Sequence, residues 1–111
     1  MILLTGFEPF ESELGVMLDA NPTKAIVGRV SARSAHIESC VLPVSYARTR
    51  QAFDGALERI KPVVWIGLGY APHRTFIDVE TIAINMEHSA RPDNDGDQAN
   101  ARPIILNAPL A

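Results

Sequence analysis

The sequence has 111 residues, of which 47% are hydrophobic and 21% are charged, and this balance indicates a globular domain rather than a disordered chain. Ten Lys and Arg residues against thirteen Asp and Glu residues give a formal charge of −3, which argues against nucleic-acid or membrane-surface partners. The single cysteine excludes a disulfide framework and a cysteine-based zinc site, and the length predicts one domain over residues 1–111.

The hydrophobic pattern predicts strands and helices that alternate along the chain. The predicted elements are a strand over residues 2–5 that stops at Gly6, a loop over 6–21, a helix from 22 to about 30 capped by Asn21, a strand over 36–42, a helix over Tyr46–Ile60 and a strand over 63–69. Residues 76–85 are predicted to add one or two strands, residues 91–102 a polar loop, and 104–106 a further apolar segment. This order is typical of an open α/β fold with a mostly parallel sheet.

Ligands in open α/β folds bind at the carboxyl ends of strands, which directs attention to three loops: residues 6–10, the loop after Leu42, and residues 69–74. In the first loop, Phe7 and Phe10 flank a proline turn. These rings are consistent with an apolar pocket for a flat small ligand, but the residues alone favour side chains that fill the local core.

Glu80 lies in an apolar stretch, where a carboxylate must be paired, hydrogen-bonded or shifted in pKa. It is therefore a candidate acid, base or orienting group, the alternative being a solvent-facing residue on a half-buried strand. Cys40 has no local basic partner, so a buried, unreactive thiol is predicted.

Other patterns carry little chemistry. The Gly67-Leu68-Gly69 turn lacks the third glycine of a dinucleotide fingerprint, and residues 93–97 lack the spacing of a calcium loop and predict a turn. The histidines have no metal-binding spacing, and neither a metal nor a cofactor is predicted. No apolar run reaches the roughly 20 residues of a membrane span, and the N-terminus lacks a basic signal region, so an intracellular protein is expected.

Several segments together, in this order, resemble the pyrrolidone-carboxylate peptidases, or pyroglutamyl peptidase I family. They are Leu-Leu-Thr-Gly-Phe-Glu-Pro-Phe at 3–10, Asn-Pro-Thr at 21–23, Leu-Pro-Val at 42–44, Gly-Leu-Gly-Tyr-Ala at 67–71 with Arg74, Val-Glu-Thr-Ile-Ala-Ile-Asn at 79–85, and Pro-Asp-Asn at 92–94 with Gly96 and Gln98. Members are cysteine peptidases that remove an N-terminal pyroglutamyl residue from peptides. The resemblance implies an α/β/α sandwich and a cytoplasmic, often tetrameric enzyme.

The resemblance also implies a catalytic Cys, His and Glu, in which the histidine activates the thiol and the glutamate orients the histidine. Glu80 falls at the family's glutamate, and Phe7 and Phe10 fall at the aromatic residues that line the pyroglutamyl ring pocket. Tyr70 stands where a glutamine that helps hold the ring is common, and Arg91 is one residue from the position of an arginine near the oxyanion.

The family's nucleophilic cysteine and its histidine lie beyond the segment that corresponds to residues 104–111. The chain is therefore expected to be a truncated, N-terminal portion that is inactive alone, with an open strand edge that favours association. Two alternatives stay open: a non-catalytic remnant that binds pyroglutamyl peptides or a full-length subunit, and a different enzyme that uses Cys40 with His36 or His88.

Overall fold

The computed structural model describes residues 1–12 and 15–111 and contains alternating strands and helices in the predicted order. The elements are β1 (Ile2–Phe7), α1 (Pro22–Ser31), β2 (Ile37–Leu42), α2 (Tyr46–Ile60) and β3 (Val64–Gly67). Both helices begin where the sequence supplies a cap, since the Asn21 side chain accepts from Thr23 N and the Ser45 side chain accepts from Arg48 N.

The strands form a parallel sheet in the order β2-β1-β3, with β1 in the centre. Leu3 in β1 is 0% exposed, and Leu4 and Thr5 are also buried. A continuous apolar run is what a central parallel strand requires, because such a strand is covered on both faces. The chain leaves β1 for β2 on one side and then crosses to β3 on the other, so the order reverses at β1.

The helices lie on opposite faces of the sheet, as adjacent residues of β2 show. Ser39 Oγ lies 3.1 Å from Ser31 Oγ in α1, whereas the Glu38 carboxylate lies 3.6 Å from the Arg59 guanidinium in α2. Because successive strand residues point to opposite faces, α1 covers one face and α2 the other. The predicted three-layer α/β/α architecture with a parallel open sheet is confirmed.

The strand boundaries differ from the predicted ones. Gly6 does not end β1, because Gly6 and Phe7 pair with Val41 and Leu42 of β2 and extend the strand to Phe7. β3 is shorter than the predicted 63–69 and pairs only with β1 within the part of the chain that the structure describes.

The predicted strands over residues 76–85 are wrong, since this segment is irregular throughout. Its apolar side chains are exposed, Ile77 at 96%, and no backbone among the described residues pairs with it as a ladder. A strand forms only where a partner satisfies its backbone groups, so an apolar β-rich pattern alone does not produce one here.

The segments predicted as loops carry short-range structure. Residues 93–97 form the predicted turn, with Gly96 at a φ of 86°. Glu87 pairs with Arg102 and Glu11 with Met17 as isolated antiparallel bridges, while residues 13 and 14 of the 6–21 loop lie outside the described residues.

Over the described chain, neither helix has both the length and the apolar character that crossing a membrane would require.

Candidate functional site

A groove of about 1400 Å³ opens over the carboxyl ends of β1 and β2 on the face covered by α2. Aromatic side chains from the three strands, the loops that follow them and α2 line it, and we call it the aromatic groove. These residues are Phe7, Phe10, Tyr46, Phe53, Trp65 and Tyr70. The groove lies at the loops that follow β1, β2 and β3, which is where ligands bind in proteins with open parallel sheets.

The residues predicted to bind substrate converge in this groove. Phe7, Phe10, Tyr70 and Arg91 all line it. The rings of Phe10 and Tyr70 lie 6.3 Å apart at an interplanar angle of 60°, a tilted arrangement that aromatic pairs favour. These two rings come from the first and third strand ends, so the fold joins residues 60 positions apart in the sequence.

One residue that lines the groove is a tryptophan with two partners. Trp65 in β3 packs on Phe53 of α2 with ring centroids 4.7 Å apart, and its Nε1 donates a hydrogen bond of 2.9 Å to Thr5 Oγ1. Thr5 is 1% exposed, so its buried hydroxyl needs a hydrogen-bond partner, and the indole of Trp65 provides one. Trp65 is the sequence's single tryptophan and therefore reports on this groove.

The start of α1 fixes one end of the loop that carries the two phenylalanines. Thr23 Oγ1 accepts a hydrogen bond of 2.9 Å from Phe7 N, and Asn21 Nδ2 donates one of 3.1 Å to Glu8 O. Asn21 and Thr23 are both buried. The helix cap predicted from Asn21-Pro22 therefore also holds the backbone of the aromatic loop, residues 7–10.

A second support comes from residues 93–94, which dock on the start of α2. Asp93 Oδ2 accepts a hydrogen bond of 2.8 Å from Tyr46 N, and Asn94 Nδ2 donates one of 2.9 Å to Pro9 O. Asn94 N also donates to Val44 O at 2.9 Å. The sequence reasoning missed both roles, since local capping rules do not reach a carboxylate 47 residues from the helix it caps.

Arginine–carboxylate pairs hold the rest of the 91–102 segment. Arg48 donates to both oxygens of Asp95 at 2.8 Å, and this holds the pKa of Asp95 at about 2. Arg102 donates to Asp97 at 3.0 and 2.6 Å, which lowers the pKa of Asp97, and also to Glu87 at 2.5 Å. In the described residues, no His, Cys, Asp and Glu side chains group as a metal site would need.

Arg91 and Glu11 face each other at the rim of the aromatic groove. Arg91 Nη2 lies 2.5 Å from Glu11 Oε1, and both residues line the groove. This pair places a guanidinium beside the aromatic rings, where it is able to donate to a ligand oxygen.

Glu80 lies outside the groove. Its side chain is 80% exposed, and its Oε1 is 3.3 Å from Arg74 Nη1, which also contacts Asp78 at 3.1 Å. The alternative of a solvent-facing residue on a half-buried strand is wrong about the strand, because residues 76–85 form none. The carboxylate pairs with Arg74, but at this exposure water also solvates it, so the predicted need for a partner in an apolar environment does not arise.

Cys40 lies in β2 beside Thr5 and is half-buried. It does not line the aromatic groove, and over the described residues no hydrogen bond joins its thiol to His36 or His88. His88 accepts instead from Ala101 N through Nδ1 at 3.1 Å.

These observations define an α/β protein with a parallel sheet and a ligand-sized aromatic groove at the strand carboxyl ends. The sequence model of one protein family, described as pyroglutamyl peptidase, matches residues 1–111. The chain therefore belongs to the pyroglutamyl peptidase family.

Relatives from two archaea illustrate the match. The chain is 36% identical to the pyrrolidone-carboxylate peptidase of Pyrococcus furiosus over 99% of its own length and 52% of that protein. It is 41% identical to the pyrrolidone-carboxylate peptidase of Thermococcus litoralis, over 99% of its own length and 49% of that protein. The chain thus spans about half the length of the curated relatives it matches.

Solved structures agree with this assignment. A mutant pyrrolidone carboxyl peptidase from P. furiosus superimposes with a TM-score of 0.85 at 35% identity, covering 98% of this chain and 51% of that one. The pyrrolidone carboxyl peptidase from T. litoralis superimposes with a TM-score of 0.84 at 38% identity, covering 98% of this chain and 49% of that one.

Proposed function

We propose that the chain supplies the pyroglutamyl-binding side of a peptidase that removes N-terminal pyroglutamyl residues from peptides. The convergence of Phe7, Phe10 and Tyr70 in one groove carries this proposal. A pyroglutamyl residue is a flat five-membered lactam, so its faces pack on aromatic rings while its polar edge needs hydrogen bonds. The family match and the names of the relatives support the substrate class.

The chemistry we propose follows the resemblance to cysteine peptidases. A thiolate attacks the pyroglutamyl carbonyl carbon, the amine of the next residue leaves with a proton, and water hydrolyses the resulting thioester. No cysteine lies among the described residues that line the groove, so we propose that the nucleophile comes from outside these 111 residues. His73 and His88 do line the groove, and only the resemblance to the family favours a catalytic histidine from outside these residues as well. Glu80 would orient that histidine, since its carboxylate is accessible to a partner from solvent.

Arg91 would contact the substrate carbonyl oxygen in this scheme. It lies at the groove rim with its guanidinium already held by Glu11, and a fixed cation lowers the energy of a developing oxyanion. On the resemblance alone, we also propose that the complete protein is a cytoplasmic homo-oligomer.

A peptide titration tests the proposal. Pyroglutamyl-alanine is added to the chain while Trp65 fluorescence is recorded, and prolyl-alanine, which lacks the lactam carbonyl, serves as the control ligand. Phe10→Leu is expected to weaken pyroglutamyl-alanine binding by about tenfold, because an aromatic contact is lost. Phe76→Leu is the matched control, since Phe76 is exposed and does not line the groove. Equal affinity for both ligands, or an equal effect of both variants, would refute the proposal.

The same titration separates the proposal from an enzyme that uses Cys40. Cys40→Ala is expected to leave peptide affinity and any product release unchanged, because Cys40 lies outside the groove. Loss of product formation in Cys40→Ala alone would restore that alternative.

A non-catalytic binding or association module is the second candidate, and exposed apolar side chains at Val63 and within residues 76–85 favour it. Val63, Ile77, Val79 and Ile82 are all more than two-thirds exposed, far beyond what isolated surface residues require. Sedimentation velocity across a concentration series tests this candidate. Concentration-dependent growth that Ile77→Lys abolishes would support it, and a monomer at all concentrations would contradict it.

A further inference from the structure

A side chain from residue 94 is hydrogen-bonded to the loop that carries Phe7 and Phe10. Asn94 Nδ2 donates to Pro9 O at 2.9 Å, and Asn94 N donates to Val44 O at 2.9 Å. One residue therefore ties together the backbones of the loops that follow β1 and β2. We propose that Asn94 is a positioning residue for the aromatic groove, an inference that rests on the proposed pyroglutamyl-binding function.

The position of Asn94 is itself determined by its neighbour. Asp93 accepts from Tyr46 N through Oδ2, and its Oδ1 accepts from Asp95 N and Asp97 N at 2.9 Å each. These bonds fix the turn on the first residue of α2. Asn94 thus extends from a rigid helix end rather than from a free loop, and its amide holds Pro9 in a defined place.

The consequence for the groove follows from chain order. Pro9 immediately precedes Phe10, whose ring lies 6.3 Å from that of Tyr70. Displacement of the Pro9 carbonyl by 1 Å or so would move the Phe10 ring by a similar amount, and binding sites lose affinity at such displacements. The Arg91–Glu11 pair at 2.5 Å holds the residue after Phe10 in the same way, so the segment before Asp95 grips the loop at two points.

The chemistry at this position requires an amide. The carbonyl oxygen of Pro9 only accepts hydrogen bonds, and Asn94 presents an N–H group to it. Aspartate has almost the same shape but turns an acceptor towards that carbonyl, whereas alanine simply removes the donor. Glutamine keeps the donor on a side chain one methylene longer.

The matched control is Asn100, which lies in the same segment, is exposed and does not line the groove. Over the described residues its side chain makes no hydrogen bond, so its substitutions repeat the change in charge and size without the change in contact. The test compares Asn94→Ala, Asn94→Asp and Asn94→Gln with Asn100→Ala and Asn100→Asp.

Two measurements are made on each variant well below its melting temperature. Pyroglutamyl-alanine affinity is measured by Trp65 fluorescence, and amide hydrogen exchange is followed at residues 8–12 and in β1. We expect about three- to tenfold weaker binding for Asn94→Ala, at least as large a loss for Asn94→Asp, and partial recovery for Asn94→Gln. Exchange at residues 8–12 is expected to accelerate while exchange in β1 stays unchanged.

The exchange measurement keeps the inference separate from the function on which it rests. If the unsubstituted chain binds no pyroglutamyl peptide, the proposed function fails, yet faster exchange at 8–12 in Asn94→Ala alone still supports the positioning contact. Unchanged exchange and affinity in Asn94→Ala overturn the inference. Equal losses in the Asn94 and Asn100 variants, or a uniform acceleration that includes β1, overturn it as well, because they show a general loss of stability.

Discussion

Gly6 allows a close approach between the sheet and α1, and replacing it with alanine is a strong test of the packing. A Cβ atom at this position would lie 2.8 Å from Thr23 O and 2.9 Å from Thr23 C. Atoms in ordinary contact lie about 3.4 Å apart or more, so the start of α1 must retreat by roughly 0.6 Å. These two Thr23 atoms belong to the backbone, so no side-chain rotation relieves the clash.

The retreat also stretches the bonds that this helix start makes. Thr23 Oγ1 accepts from Phe7 N at 2.9 Å in a partly buried bond, and Thr23 itself is buried. Overpacking costs about 1–3 kcal/mol, and weakening this bond adds about 0.5–1.5 kcal/mol. We therefore expect Gly6→Ala to lower the free energy of unfolding by about 2–4 kcal/mol.

Gly28→Ala provides the matched control, because an alanine Cβ there would meet nothing within 4 Å. Gly28 lies inside α1, where alanine is favoured over glycine by about 1 kcal/mol, so this variant is expected to be more stable. Urea unfolding followed by far-ultraviolet circular dichroism measures both variants. A Gly6→Ala chain within 0.5 kcal/mol of the parent would refute the packing argument.

Trp65→Phe is expected to destabilise the chain by about 1–3 kcal/mol in urea unfolding, because the buried Thr5 hydroxyl loses its 2.9 Å donor. No change would mean that Thr5 finds another partner. Arg48 hydrogen-bonds Asp95 and lowers its pKa from 3.8 to about 2. The contribution of this pair to the free energy of unfolding is therefore complete above pH 3.8 and disappears as pH falls towards 2. Arg48→Gln should therefore flatten the decline of unfolding free energy between pH 3.8 and about 2, and an unchanged slope would contradict the pairing. Glu80→Gln should leave pyroglutamyl-alanine affinity within about twofold, since Glu80 is exposed and outside the groove. A larger loss in the same fluorescence titration would place Glu80 against the ligand.

Local sequence signals predicted what depends on local physics. The helix Tyr46–Ile60 was predictable to the residue, because its apolar stripe and the following proline act within a few turns. Asn21-Pro22 marks the start of α1 for the same reason, since the cap bonds its own helix. The strand-end argument directed attention to the loops that carry Phe7, Phe10 and Tyr70, because parallel strands end at one edge, whereas the role of Tyr70 came only from the family resemblance.

Features that depend on residues far apart in the sequence were not predicted. Residues 76–85 have a β-rich apolar pattern, yet a strand also needs a neighbouring backbone, which composition does not encode. Asn94 looks like an ordinary turn residue, although it binds Pro9 from 85 positions away. Gly6 suggested the end of a strand, whereas its lack of a side chain serves the contact with α1.

The candidate site divides into parts that are held with unequal rigidity. The proposed ring-binding side rests on strand ends, on the cap of α1 and on the Asp93–Asn94 contact with α2, so the described residues themselves hold its aromatic side chains in place. Glu80 lies on an irregular, exposed segment whose only strong side-chain partner in the described chain is Arg74. Recognition of the pyroglutamyl ring should therefore precede and survive without the catalytic arrangement. This separation is why binding of the peptide, rather than its hydrolysis, is the property that tests these residues.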